Sequence, residues 1–228
     1  MAATQPQCAL CPYDWSERFC RRDHGKAPKN CPSVCHQDLV AESLQTLQSP
    51  EILEFARQTS IQEAEGYCGR EKGYQSVRPA KPRIVEIIEF ARKMNYQRVA
   101  LVFCVGLRRE ASIVHEIFEG QGLEVTSIIC KVGRIPKEAI GLSDDQKVAP
   151  GSHESMCNPI LQALVANRQK SQFNVLLGLC VGHDSLFFRY ADAPTTVLAV
   201  KDRMLGHNPL AAVYEYESYY RYLKEPLE

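Results

Sequence analysis

The chain has no long apolar run, no excess of charge of either sign and only one tryptophan in 228 residues. The first two of these lacks each exclude something. A membrane-spanning helix needs about 18–20 consecutive apolar residues, and no stretch here approaches that. Twenty-seven basic residues balance 27 acidic ones, with no long basic cluster, so there is no electrostatic footprint for nucleic acid or for an anionic membrane. The start, Met-Ala-Ala-Thr-Gln-Pro-Gln, lacks the charged region and apolar stretch of a secretory signal. The expectation is a cytoplasmic protein with neither nucleic acid nor membrane as partner. Gly-x-Gly-x-x-Gly and Walker sequences are also missing, which leaves a nucleotide cofactor without support.

What the chain does have is ten cysteines. In a reducing compartment disulfides are disfavoured, and metal binding or thiol chemistry becomes the default. Five of them, Cys8, Cys11, Cys20, Cys31 and Cys35, crowd a segment of Pro, Asp, Arg and Lys with no sustained apolar period. Burial alone cannot fold such a segment. Thiolate ligation can, since a structural zinc contributes about 10–16 kcal/mol in small finger peptides. Cys8-Ala-Leu-Cys11 supplies two ligands from one turn; any pair among Cys20, Cys31 and Cys35 could complete the set, with His24 and His36 as outsiders. Cys68 stands alone and reads equally as a buried small group or a further ligand.

Apolar spacing of three and four predicts helices over residues 37–47 and 50–65, and the glycines and prolines of 66–82 predict a connection. From Pro82 onward the pattern alternates. Helices are expected over 83–95, 107–121, 159–170 and from 209 towards 222, with strands over 99–104, 124–130, 174–180 and 196–200. Short apolar runs between amphipathic helices predict an α/β fold: a Rossmann-like parallel sheet flanked by helices. The expected division is a Cys-rich metal-binding segment at 1–36, a helical connection at 37–82 and the α/β domain at 83–228.

Three of the predicted strands finish on Cys104, Cys130 and Cys180, and Cys157 precedes Asn158-Pro159, an N-cap followed by a first-turn proline. In open α/β sheets ligands bind beyond the carboxyl ends of the strands, where strand order reverses. Four thiolates converging there would suit zinc or a [4Fe–4S] cluster. One such cysteine alone is more simply a small core residue. His183, Asp184, Lys201 and Asp202 are candidates for moving protons or binding substrate beside that centre, against plainer roles as caps and ion pairs. Arg108 and Arg109 open a helix, where cations are normally disfavoured, which suggests a negative neighbour. With Asn158 and with His207, which precedes Asn208-Pro209, they are the expected cofactor-binding groups.

The sequence resembles a family of uncharacterised, cysteine-rich prokaryotic proteins described only as metal-binding, a domain of unknown function. The resemblance spans the chain and is carried by Cys8-Ala-Leu-Cys11, Phe103-Cys-Val-Gly-Leu107, Cys130-Lys-Val-Gly133, Cys157-Asn-Pro159, Gly178-Leu-Cys-Val-Gly-His-Asp184, Val200-Lys-Asp-Arg203 and His207-Asn-Pro209. It implies metal binding and names no reaction. A fainter similarity links the α/β part to the cluster-carrying domains of hybrid-cluster proteins and carbon monoxide dehydrogenases. The resulting expectation is a metal-binding protein with an iron–sulfur cluster or zinc, a Cys-lined crevice and redox function. Its partner would be a small anionic substrate or a redox protein. Two alternatives stand beside it: a thiol-based redox or nucleophilic enzyme, and a zinc-stabilised module that binds a small ligand or regulates.

Overall fold

The computed structural model describes residues 5–227. The chain divides into two compact units, Met1–Ala64 and Glu65–Glu228.

In the first unit, 3-10 turns at Cys8–Leu10 and Trp15–Glu17 precede a one-turn helix, α1 (Pro32–Cys35), and two longer helices, α2 (Gln37–Thr46) and α3 (Pro50–Glu65). No described residue before Gln62 is buried. The Cys-rich start therefore has no apolar core of its own, as its composition predicts.

The second unit opens with a two-residue hairpin, β1 (Tyr67–Cys68) against β2 (Arg78–Pro79), where the sequence suggested only a connection. Helix α4 (Arg83–Lys93) then leads into β3 (Arg98–Phe103), α5 (Arg108–Gly120), β4 (Glu124–Ile129), α6 (Pro159–Arg168), β5 (Phe173–Leu177), α7 (His183–Tyr190), β6 (Thr195–Ala199) and α8 (Leu210–Tyr214). The four long strands form one parallel sheet in the order β4-β3-β5-β6. This is the predicted parallel α/β sheet flanked by helices.

Both faces of the sheet are covered, which explains why the strands read as unbroken apolar runs. Ala100, Val102, Ile128 and Leu176 pack with Ala163 and Ala166 of α6 and Phe187 of α7. The alternate residues Val99, Leu101 and Val175 are equally buried and point the other way by strand periodicity. On β5 the alternate residue Phe173 meets Phe90 of α4, ring centroids 5.5 Å apart. Each of these large side chains contributes about 1.5–3 kcal/mol by leaving water.

The topology places the site. From β3 the chain steps to one side to form β4, then crosses back to form β5 on the other side. Strand order therefore reverses between β3 and β5, and the crevice belongs beyond their carboxyl ends.

Three boundaries differ from expectation. Strand β5 stops at Leu177, because Gly178 turns to φ +71°, so Cys180 sits on the following loop and not on the strand. Residues 183–190 form α7, a helix the sequence did not suggest; it buries Phe187 completely. The predicted terminal helix shrinks to α8, and its N-cap is Pro209 and not Asn208. Beyond it, Tyr216, Tyr219, Tyr220 and Tyr222 lose rotamer freedom in a helix, and Tyr219 stays 85% exposed, so packing does not offset that cost.

Candidate functional site

Cys104 and Cys130 are the first residues past β3 and β4, and the ladder continues one step to fix them. The Cys104 N–H donates to the Leu177 carbonyl at 3.3 Å, and the Cys130 N–H donates to the Phe103 carbonyl at 2.9 Å. Cys157 arrives from 27 residues further on. The N–H of its neighbour Asn158 donates to the Cys130 carbonyl at 2.8 Å, while the Asn158 side chain accepts from the Leu161 N–H at 2.9 Å and caps α6. That anchor brings the Cys157 and Cys130 sulfurs to 3.7 Å. The Val105 N–H also donates to the Cys130 sulfur, at 3.3 Å. Cys180, on the loop before α7, accepts a hydrogen bond from Arg203 Nη2 at 3.0 Å.

A fully buried glutamine holds the two strand ends together. Gln162 Nε2 donates to the Ile128 carbonyl at 2.8 Å and to the Phe103 carbonyl at 3.3 Å. Nothing but its place inside the apolar run Pro159-Ile-Leu-Gln-Ala-Leu-Val165 signals it in the sequence. Gln162→Ala leaves a void and removes both of these hydrogen bonds, and is expected to cost about 2–4 kcal/mol. Urea unfolding of the variant measures this; a change under 1 kcal/mol would mean the glutamine does not brace the strands.

The sulfurs differ in charge. A hydrogen bond from Cys130, aided by His183, lowers the Cys157 thiol to about 4. The Cys104 thiol falls to about 5, chiefly through Cys130, against the opposing effect of burial; the Gly106 N–H and the Lys201 charge help. Cys130 itself is pushed up, since both neighbours call on its proton; it carries one S–H and gives it to one neighbour at a time. Burial raises the Cys180 thiol, and the Cys157 thiolate raises His183. Gly106 permits the lysine's approach, because a Cβ there would lie 2.9 Å from Lys201 Nζ and 4.0 Å from the Cys104 sulfur. The sign of the Cys157 shift sets a pH dependence: its thiolate persists as pH falls until about 4. In metal-free protein, iodoacetamide labelling of Cys157 should stay nearly constant from pH 8 to 6, whereas Cys180 labelling drops about tenfold per unit. Peptide mass spectrometry reads both, and parallel profiles would contradict the assignment.

These groups face a cavity of about 730 Å³, lined among others by Cys104, Cys157, Cys180, His183, Lys131 and Arg203. The loop after β4 forms another wall. It is folded on itself by the Lys137–Glu154 ion pair, by Lys147 between Glu138 and Asp144, and by a bridge of Pro136 with Ser155. Nothing in the sequence marks Lys131 and Arg203 beyond their places beside Cys130 and Asp202, and only the fold shows that they share the cavity.

The other expected site residues fall elsewhere. The Asp184 carboxylate accepts from the Ser185 N–H at 2.8 Å in the first turn of α7. Asp202 accepts from the Met204 and Leu205 N–H groups, and its own N–H donates to His207 Nδ1 at 3.1 Å; together they clip a loop. Arg108 and Arg109 are exposed, and Arg108 lines a separate cavity with His115 and Ser127. In the first unit, Cys8, Cys11, Cys20 and Cys31 line one small cavity, whereas the Cys35 thiol donates to the Lys29 carbonyl at 2.7 Å. His24 and His36 are not among the lining residues. Cys68 is half-buried and its thiol donates to the Arg78 carbonyl at 3.6 Å. Among the described residues, no group of three or more His, Cys, Asp or Glu is already arranged to hold a metal ion.

Residues 31–198, most of the chain, match the family described as Protein of unknown function (DUF1847). The chain belongs to the DUF1847 family. It is also 38% identical over 194 residues to Uncharacterized protein MJ0455 of Methanocaldococcus jannaschii, covering 85% of this chain and 91% of that one. No solved structure matches, and the fainter similarity to hybrid-cluster proteins and carbon monoxide dehydrogenases gains no support. The DUF1847 match takes in Cys104, Cys130, Cys157, Cys180 and His183 and begins at Cys31. Among the described residues no helix is long and apolar enough to cross a membrane.

Proposed function

We propose that this DUF1847 protein carries a metal–thiolate centre, zinc or an iron–sulfur cluster, in the crevice beyond β3 and β5, and that the centre acts on a small anion or exchanges electrons with a redox partner. The observation that carries the reading is the meeting of Cys104, Cys130 and Cys157 at a topological switch point, with two sulfurs 3.7 Å apart. Sulfurs bound to one zinc at about 2.3 Å stand about 3.8 Å apart in a tetrahedron. The donor set also fits in charge. Cys157 and Cys104 favour their thiolate forms, as ligands must, and Lys131, Lys201 and Arg203 offset that charge.

Cys180 completes the set by turning its sulfur from Arg203 towards the other three. When bound, the metal would polarise a ligand or accept an electron. The chain's own part is to hold the thiolates, to admit an anion past Lys131 and Arg203, and to keep His183, whose imidazolium form the Cys157 thiolate favours, within reach of the bound group. Balanced charge over the whole chain leaves this cationic wall as a local feature, which suits a small anion better than a polyanion.

Metal analysis with visible spectroscopy on anaerobically purified full-length protein tests the reading. Iron with labile sulfide, or zinc, is expected in the wild type, and the crevice fraction should vanish in Cys130→Ala. A Cys130→Ala protein with undiminished metal content would overturn it. A metal-free wild type whose Cys157 alone alkylates rapidly would instead favour a thiol enzyme built on the Cys157–His183 pair.

A further inference from the structure

The first unit has a feature that the crevice reading does not use. Cys8, Cys11, Cys20 and Cys31 come from three separate turns and line one cavity of about 60 Å³. Each is placed by backbone contacts. The Cys11 N–H donates to the Cys8 carbonyl at 3.3 Å, closing the first turn. Cys20 is set by a bridge between Arg18 and Lys26, with the Phe19 N–H donating to the Lys26 carbonyl at 2.9 Å. Gly25 makes that bridge possible, since a Cβ there would meet the Arg18 carbonyl carbon at 2.5 Å. Asn30 Nδ2 donates to the Gln5 carbonyl at 3.0 Å and ties the start of the chain beside Cys31.

We propose that these four cysteines ligate a four-iron iron–sulfur cluster, distinct from the crevice centre. Two observations lead there. The segment buries no described residue, yet four separate turns and a bridge are in place, so something other than an apolar core must hold them. The space is too large for one ion: a water needs about 10–15 Å³ of such volume, so several would fit, and a single zinc would leave voids. A four-iron cluster takes four thiolates at wider spacing than one ion does, which suits such a space.

The surrounding charge agrees. Between Cys8 and Cys35 lie five basic residues, Arg18, Arg21, Arg22, Lys26 and Lys29, against three acidic ones. A cluster with four thiolates is anionic, and Arg18 lines the cavity itself, holding position through the Tyr13 carbonyl at 2.9 Å and the Cys11 carbonyl at 3.5 Å. The same geometry decides among the candidate ligands: Cys20 and Cys31 complete the set, and Cys35, turned to Lys29, does not.

The test uses full-length protein carrying Cys130→Ala and Cys157→Ala, so that the result is independent of the crevice. Purified without oxygen, it should keep about four irons and four labile sulfides per chain with broad visible absorbance. Adding Cys20→Ser should remove nearly all of the iron and expose residues 5–36 to protease, while adding Cys35→Ser should change neither. Far-ultraviolet circular dichroism checks that the α/β unit remains folded throughout. One zinc per chain, no metal at all, or iron lost with Cys35→Ser and kept with Cys20→Ser would each overturn the proposal.

Discussion

Cys130→Ala, in full-length protein whose Cys8 and Cys11 are serine, is expected to lose all remaining metal while its helical content stays nearly unchanged. Cys130 is the hub of the crevice: its sulfur lies 3.7 Å from that of Cys157, accepts from the Val105 N–H and interacts with Cys104. The alanine removes the one sulfur that meets both neighbours. Folding should survive, since the site is a small apolar one beneath α6 and loses a single sulfur, at a cost of about 1–2 kcal/mol. Two effects would follow together in the metal-free state. Cys157 and Cys104 would lose the donor that favours their thiolates, and their alkylation at pH 6 should slow. Full metal occupancy in this variant would mean that the crevice sulfurs bind nothing, whatever the first unit does.

Gly178→Ala should have the largest effect on stability, about 2–5 kcal/mol. The residue ends β5 at φ +71°, a conformation that strains an L side chain by about 1–2 kcal/mol. Its new Cβ would also lie 2.1 Å from Leu107 Cδ1, and Leu107 is only 3% exposed, so overpacking adds about 1–3 kcal/mol. The strain falls at the end of β5, on the loop that leads to Cys180, where the Gly178 N–H donates to the Ala199 carbonyl of β6 at 2.7 Å. Relief requires the loop carrying Cys180 to shift, so weaker metal retention should accompany the lower melting temperature. A variant that melts within a degree of wild type would show that Leu107 gives way freely.

The sheet could be read from sequence because both of its faces are buried, so apolar runs such as Val99–Val102 mark strands without needing alternation. The placing of Cys104 and Cys130 just past β3 and β4 follows from the same signal. The nearness of Cys157 to Cys130 does not, because it rests on one backbone hydrogen bond across 28 residues, Asn158 to Cys130. Helix α7 was hidden because it is short and starts on His183-Asp184, which read as a polar strand end. Asp202 and His207 looked reactive by type, yet loop N–H groups and one another satisfy them. In the first unit, Cys-x-x-Cys is a local motif, while the placing of Cys20 and Cys31, but not Cys35, in the lining of the same cavity rests on longer-range contacts such as the Arg18–Lys26 bridge. Contacts between residues far apart in the chain leave no periodic trace for a sequence to show.

X-ray absorption at the metal edge, on anaerobically purified full-length protein with Cys8→Ser and Cys11→Ser, tests the crevice centre most directly. The account predicts bound metal surrounded by sulfur at about 2.3 Å, with that sulfur shell lost in Cys130→Ala. A shell of oxygen and nitrogen alone, or protein that binds no metal, would contradict it.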